Sequence, residues 1–373
     1  MKVPLLDLKA QYSTIKEDVI GAMMEVLEAQ HFILGPKVVE LEKQVAQYSE
    51  AKWGIGVSSG SDALIISLMG LEVGAGDYVI TTPYTFFATA GAAARVGAIP
   101  VFADIDPKTY NIDPAQIAKA AAKIPRGKLK AIIPVHLYGQ CCDMDGVMEV
   151  AREYGAAVIE DAAQAIGSKD RHGRPAGSVG DTGCFSFFPS KNLGCLGDGG
   201  MVVTSRDELK DKLTVLRAHG SHPKYFHKII GGNFRLDALQ ASVLSVKLPH
   251  LDLWSEKRQE NADLYNMLFA EAGLPVETPY IEEGCRHIFN QYVIRAKDRD
   301  RLMNFLKEKG VGTEVYYPLP MHLQECFGYL GYKEGDFPES EKAARQTLAL
   351  PVYPELSSAA IAYVVERIKE FYA

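Results

Sequence analysis

The sequence predicts an α/β protein: a large domain built on a mostly parallel central sheet, followed by a smaller C-terminal α+β domain. Three observations carry this. From Gly54 onward, short apolar runs alternate with segments of helical periodicity, which is the mark of βαβ units whose sheet is covered on both faces. Past the middle of the chain the order changes to strand, helix, strand with longer connections, as in a separate α+β unit. A length of 373 residues is enough for a sizeable core and for more than one folding unit.

In chain order, Thr14-x-x-Glu17 forms a capping box, and Ile15, Val19, Met23, Val26 and Leu27 follow at helical spacing, predicting an amphipathic N-terminal helix. Gly35-Pro36 breaks that pattern and a second helix resumes. Strands are expected at 54–57, 78–81, 99–104, 130–135 and 156–160, with helices near 61–71, 85–96, 114–123 and 143–154 between them. Two further strands are expected at 183–187 and 200–204, then a helix near 207–218 and the loop GSHPKYFHKIIGGNF. A long helical region runs from Leu236 to Ala270. Beyond it come a strand (IFNQYVIR), a helix (RDRLMNFLKEKG), a strand (GTEVYY), a loop and terminal helices. The domain boundary falls near residue 250, giving a large domain of 1–250 and a small one of 251–373.

Composition excludes several function classes. The net charge is −7, whereas general nucleic-acid or membrane-surface binders display a basic excess. No stretch approaches the roughly 20 apolar residues of a membrane span, and the opening MKVPLLDLKAQY lacks the apolar core of a signal peptide, so the cytoplasm is the expected location. Cysteines at 141, 142, 184, 195, 285 and 326 fit neither a disulfide framework nor a metal pattern and are expected to be reduced thiols.

The chemistry centres on Cys184 to Gly200, CFSFFPSKNLGCLGDGG, which sets Lys191 between an aromatic, hydroxyl-bearing approach and a run of glycines. Alone, a lysine in a Gly-rich loop reads equally well as a solvated surface residue. Upstream, the apolar run AAVIE ends in Asp161, a carboxylate at the C-terminal end of a parallel strand, on the edge where open α/β sheets bind ligands. An aspartate that keeps a pyridine nitrogen protonated and a lysine able to form an imine are the two groups that pyridoxal 5′-phosphate (PLP) asks of a protein. The strand-to-helix turn VSSGSDAL presents unpaired helical N–H groups that suit a phosphate, or serves only as a helix cap.

EDAAQ, then SFFPSKNLG and GDGG, with VPLLDLKAQY at the start and ALPVYPEL near the end, together resemble the DegT/DnrJ/EryC1/StrS family of sugar aminotransferases over nearly the whole chain. The resemblance implies a fold-type-I PLP-dependent aminotransferase. It assigns Lys191 as the imine-forming catalytic residue, Asp161 to the pyridine nitrogen and Gln164 to the phenolic oxygen. Gly60, Ser61 and Ser186 go to the phosphate, where Ser61 keeps the hydroxyl of the more frequent Thr, and Phe86 stacks on the ring. Asn233, in GGNFRLDALQ, matches an asparagine that reaches the phosphate of the neighbouring subunit, which implies a homodimer with shared sites. Arg235, Tyr317 and His322 are substrate candidates, each with a structural alternative, and His136 is a weaker case still. The implied reaction moves an amino group, with glutamate as expected donor, to the ketone of a nucleotide-linked sugar, with SFFPSKNLGCLGDGG pointing to C3 of a UDP- or TDP-linked 3-oxo sugar. Family members that dehydrate sugars carry histidine in place of Lys191. A non-catalytic family member and another PLP enzyme acting on a different ketone are the competing readings.

Overall fold

The computed structural model describes residues 1–373. Two helices, α1 (Leu8–Ala29) and α2 (Pro36–Tyr48), precede an alternation of strand and helix: β1 (Trp53–Val57), α3 (Gly60–Gly70), β2 (Tyr78–Thr81), α4 (Phe87–Arg95), β3 (Ile99–Phe102), α5 (Pro114–Ala121), β4 (Leu129–Ile133), α6 (Met144–Tyr154) and β5 (Ala157–Asp161). The strands β6 (Thr182–Ser186) and β7 (Gly200–Thr204) and the helix α7 (Asp207–Leu216) complete the large domain's sheet and its covering. These seven strands form one sheet in the order β1-β7-β6-β5-β4-β2-β3.

All the pairings from β3 across to β6 are parallel, while β7 runs antiparallel to both neighbours. Most positions in these strands are apolar, as expected where helices cover both faces, with Lys130, Glu160 and Asp161 the charged exceptions. The reversal of β7 has a consequence for the site. Its first residue, Gly200, lies opposite the last residues of β1 and β6, Val57 and Ser186, so the ends of β1, β5 and β6 and the start of β7 share one edge. A Cβ on Gly200 would overlap the Ser59 carbonyl, and only glycine lets the turn after β1 lie over it.

The long helical region is divided at Leu248-Pro249-His250 into α8 (Ala238–Lys247) and α9 (Leu251–Ala272). Proline lacks the N–H that an uninterrupted helix needs there. The helix α9 joins the two domains: Leu251 packs in the large-domain core, whereas Ala262, Tyr265 and Phe269 belong to the core of the small domain. That second core is built on an antiparallel sheet of β8 (Val276–Glu277), β9 (Tyr292–Ala296) and a third strand, with α10 (Arg299–Glu308) packed nearby. After α11 (Pro338–Gln346) come that third strand, β10 (Thr347–Leu350), and α12 (Ser358–Tyr372). Val3, at the N-terminus, is buried in the same small-domain core, with its N–H on the Gly310 carbonyl at 2.9 Å.

Two local expectations differ from the fold. Helical structure starts earlier than expected, at Leu8, where the Asp7 carboxylate accepts the N–H groups of Lys9 and Ala10, both at 3.0 Å, and so supplies the cap; a kink at Ile15 then begins the expected segment just after Thr14. GTEVYY is not a strand, and only Glu314 bridges to Ala349. The Tyr316 carbonyl is drawn toward the large domain, where it accepts from the hydroxyls of Tyr84 at 2.7 Å and of Tyr138. The strand beside β9 is instead Thr347–Leu350. All six cysteines are unpaired, and no helix is long and apolar enough to cross a membrane.

Candidate active site

Asp161 ends β5 and is buried. Its Oδ1 accepts the Ala163 N–H at 3.2 Å and its Oδ2 accepts the Thr89 hydroxyl at 2.8 Å, with the Thr85 hydroxyl 3.0 Å behind Thr89. Burial pushes the Asp161 carboxyl above the usual carboxylate range, and the Thr89 and Ala163 hydrogen bonds and the positive charge of Lys191 oppose it. Neighbouring Glu160 points the other way. It accepts N–H groups from Gly177, Val179 and Gly180 at 2.6–2.8 Å and lies 2.7 Å from His136 Nε2. His136 Nδ1 accepts the Cys142 N–H at 3.0 Å, so this ring is satisfied at both nitrogens and enclosed, a structural histidine.

Lys191 sits in the loop between β6 and β7, its side chain part-buried near Asp161. Burial disfavours its ammonium and lowers its pKa from 10.5 to about 8, against the pull of the Asp161 charge. The loop is held from several sides. The Lys191 N–H donates to the Phe188 carbonyl at 2.8 Å, and the Cys195 N–H to the Phe187 carbonyl at 2.8 Å. Buried Lys247 donates to the Gly194 carbonyl at 2.6 Å. Asn192 donates to the Ile288 carbonyl at 3.2 Å and accepts from Asn290 at 2.7 Å, tying the lysine's own loop to the small domain.

The start of α3 lies at the same edge. Ser59 caps it, its hydroxyl accepting the Asp62 N–H at 3.0 Å, and Gly60 and Ser61 occupy the first helical positions, where N–H groups have no partner in the helix. Ser186 stands directly across from Gly60. The segment carrying Asn233 and Arg235 runs along the outer edge of β1: Phe234 accepts the Ser58 N–H at 3.0 Å and Arg235 bridges to Val57. Asn233 is exposed there, while Arg235 is part-buried with its Nε unpartnered.

Gln164, three residues past Asp161, is buried with its amide oriented from both ends. Oε1 accepts the Tyr138 N–H at 2.7 Å, and Nε2 donates to the Tyr317 hydroxyl at 3.0 Å, which leaves one N–H free. Phe86 is 56 % exposed, its ring 6.0 Å from that of Tyr317. Tyr317 therefore lines the site beside Gln164. His322 does not: it is enclosed against Phe337, with Nε2 3.1 Å from Glu341 in a buried pair, and has no open face for a substrate.

Thr89, Thr85, Tyr138, Asn192 and Lys247 escaped the sequence reading. Only the i, i+4 spacing of the two threonines hinted at a shared face. No group of three or more His, Cys, Asp or Glu side chains is arranged to hold a metal ion.

The donor set fits PLP. It combines a helix start with free N–H groups and two adjacent hydroxyls, a buried carboxylate, an amide with a spare donor, an exposed aromatic ring and an amine whose ammonium form is disfavoured. The profile of the DegT/DnrJ/EryC1/StrS aminotransferase family matches residues 13–369. A Geobacillus stearothermophilus protein named pleiotropic regulatory protein is 54% identical over 100% of this chain and 99% of its own. The Acidithiobacillus ferrooxidans UDP-N-acetyl-3-dehydro-alpha-D-glucosamine 3-aminotransferase is 43% identical over 98% and 97%. Relatives at 42%, 39% and 38% identity are likewise named as aminotransferases or transaminases of UDP- or dTDP-linked sugars. Among solved structures, that of Streptomyces venezuelae DesV in complex with a ketimine intermediate superposes with a TM-score of 0.95 at 39% identity, covering 99% of this chain and 98% of that one. Others of the same fold hold PLP or its pyridoxamine form. With a profile matching from residue 13 to residue 369, the chain belongs to the DegT/DnrJ/EryC1/StrS aminotransferase family and is PLP-dependent.

Proposed function

We propose that this chain moves an amino group from glutamate to the keto carbon of a nucleotide-linked sugar, and that the sugar is a UDP- or TDP-linked 3-oxo sugar. The observation that carries the reading is Lys191, an amine with its pKa lowered to about 8, held close to the buried Asp161 carboxylate at the edge where α3 begins. The names of the relatives support the class of sugar.

Gly60, Ser61 and Ser186 bind the phosphate, Asp161 holds a proton at the ring nitrogen, Gln164 donates its spare N–H to the phenolic oxygen, and Phe86 covers the ring face. When bound, PLP supplies a pyridinium that withdraws electrons from the carbon losing its proton. Lys191 Nζ takes that proton from the amino-bearing carbon of the donor and, with the sugar in place, returns one to the carbon that receives the amine. A pKa near 8 suits this task, because both forms of the amine are accessible near neutral pH. Tyr317 fixes Gln164 and borders the space for the sugar, which Arg235 of a second copy completes.

The acting unit in this proposal is a cytoplasmic homodimer. Phe188 and Leu196, on the loop that carries Lys191, and Ile230, on the loop before Asn233, are exposed apolar groups, which supports a second copy as their cover. Six unpaired thiols suit a reducing compartment.

The regulatory name of the 54% identical relative favours a second reading, a non-catalytic member of the family. Lys191, Asp161 and Gln164 standing together in one site argue against it. A panel of UDP- and TDP-linked keto sugars incubated with glutamate and PLP-loaded protein, followed by product mass, decides. Amination of a 3-oxo sugar is the expected result. Turnover of none of the sugars, by protein that retains PLP, would leave the regulatory reading standing.

A further inference from the structure

Thr89 is the third residue of α4, so the residue four back lies before the helix begins. A threonine inside a helix commonly donates to the carbonyl four residues back. Here the residue four back, Thr85, offers a hydroxyl instead at 3.0 Å, and Thr89 is committed 2.8 Å away to Asp161 Oδ2, across 72 residues of sequence. Both threonines are 1% exposed, so no water competes for these bonds.

The directions of the two bonds follow from the inventory of donors. An ionised carboxylate only accepts, so Thr89 donates its single O–H to Asp161, and Thr85 must then be the donor to Thr89. The result is a one-way chain from Thr85 through Thr89 to Asp161 Oδ2. The other oxygen, Oδ1, is fixed by the Ala163 N–H at 3.2 Å. A proton placed on Oδ2 would face the Thr89 donor, so the chain favours the ionised carboxylate while leaving each oxygen a lone pair for a further donor. The buried site itself favours the opposite, since desolvation penalises the charge.

We propose that Thr89, backed by Thr85, is a positioning residue that keeps Asp161 ionised and oriented, so that the proton shared with the cofactor stays on the ring nitrogen. This inference rests on the reading of Asp161 given above. Its reach is the cofactor's electron demand: if the proton moves to Asp161, the ring withdraws electrons less strongly from the reacting carbon.

The test uses Thr89→Val, which keeps the shape and removes the hydroxyl, with Thr89→Ser as the conservative rescue, Thr85→Val as a milder variant and Asp161→Asn as the reference. Two readouts are independent of turnover. In the apo-protein, carbon-13 NMR of labelled aspartate follows the Asp161 titration, assigned by its loss in Asp161→Asn. In the loaded protein, nitrogen-15 NMR of labelled PLP reports the protonation of the ring nitrogen. A hydrogen bond to a charged group is worth enough that Thr89→Val should raise the Asp161 pKa by about one unit or more and weaken PLP binding roughly tenfold. The ring-nitrogen signal should move toward that of Asp161→Asn, Thr89→Ser should restore the parent signal, and Thr85→Val should shift the same way by less. Parent-like titration and nitrogen signal in Thr89→Val, with a clear shift in Asp161→Asn, would overturn the proposal and reduce Thr89 to packing. No shift in either variant would overturn the reading of Asp161 as well.

Discussion

Gly60 and Ser186 face each other so closely that a Cβ on residue 60 would lie 2.6 Å from the Ser186 Cβ. This close approach joins two segments far apart in sequence, the start of α3 and the end of β6, and brings helical N–H groups and a serine hydroxyl to one point. Gly60 is therefore glycine for proximity.

The substitution Gly60→Ala should force the α3 start away from Ser186 at an overpacking cost of about 1–3 kcal/mol. We expect a lower thermal midpoint and faster loss of PLP on dialysis. The double variant Gly60→Ala/Ser186→Gly removes the opposing Cβ and should regain stability but not cofactor retention, because the hydroxyl is gone. Full PLP retention by the double variant would remove Ser186 from the phosphate site.

Lys191 gives a pH signature. Its folded pKa is lowered to about 8 from 10.5, so below pH 8 the folded apo-protein carries the cost of a charged, desolvated ammonium. Between about 8 and 10.5 the unfolded chain binds more protons than the folded one at this position, and stability therefore rises with pH. Lys191→Met should make the apo-protein more stable at pH 7, with the advantage shrinking from pH 8 upward and gone above 10.5. Urea unfolding of both proteins across that range measures the difference directly. A constant advantage at all pH values would mean that Lys191 is freely solvated as an ammonium. In the loaded protein, borohydride should fix the cofactor to Lys191 and to no other lysine.

Much of this site was legible before the fold. Asp161 and Lys191 were readable because a carboxylate ending an apolar run and a lysine amid glycines are both local patterns, and the strands around them are continuous apolar segments. Thr89 was not, because its bond to Asp161 spans 72 residues and nothing adjacent to it signals a carboxylate. The small sheet was harder for another reason. Val276–Glu277 is two residues long, and Thr347–Leu350 lacks any alternation, all four of its residues being buried. GTEVYY has the composition of a strand, yet hydroxyls of Tyr84 and Tyr138 hold its Tyr316 carbonyl in place of a sheet partner. Thr14-x-x-Glu17 has the pattern of a capping box, whereas Asp7 has no Glu or Gln three residues on to mark it as a cap. In the fold, Thr14 lies inside α1, its hydroxyl donating to the Gln11 carbonyl at 2.8 Å.

The last prediction concerns Asn233, exposed on the segment that runs along the free side of β1. If a second copy brings its own Asn233 and Arg235 to this chain's phosphate end, each complete site needs Lys191 from one chain and Asn233 from the other. A Lys191→Ala chain then lacks only the amine, and an Asn233→Ala/Arg235→Ala chain lacks only the reaching segment. Each homodimer is dead or crippled at both sites. In a heterodimer, one site combines both defects, and the other combines the intact lysine of one chain with the intact asparagine of its partner. Random exchange should therefore restore about a quarter of the parent activity per chain, as expected when half the dimers are mixed and each has one working site. The measurement is amination rate against mixing ratio, with exchange followed by mass of differently tagged chains. Exchange without recovered activity, or an active monomer in solution, would place Asn233 outside the site.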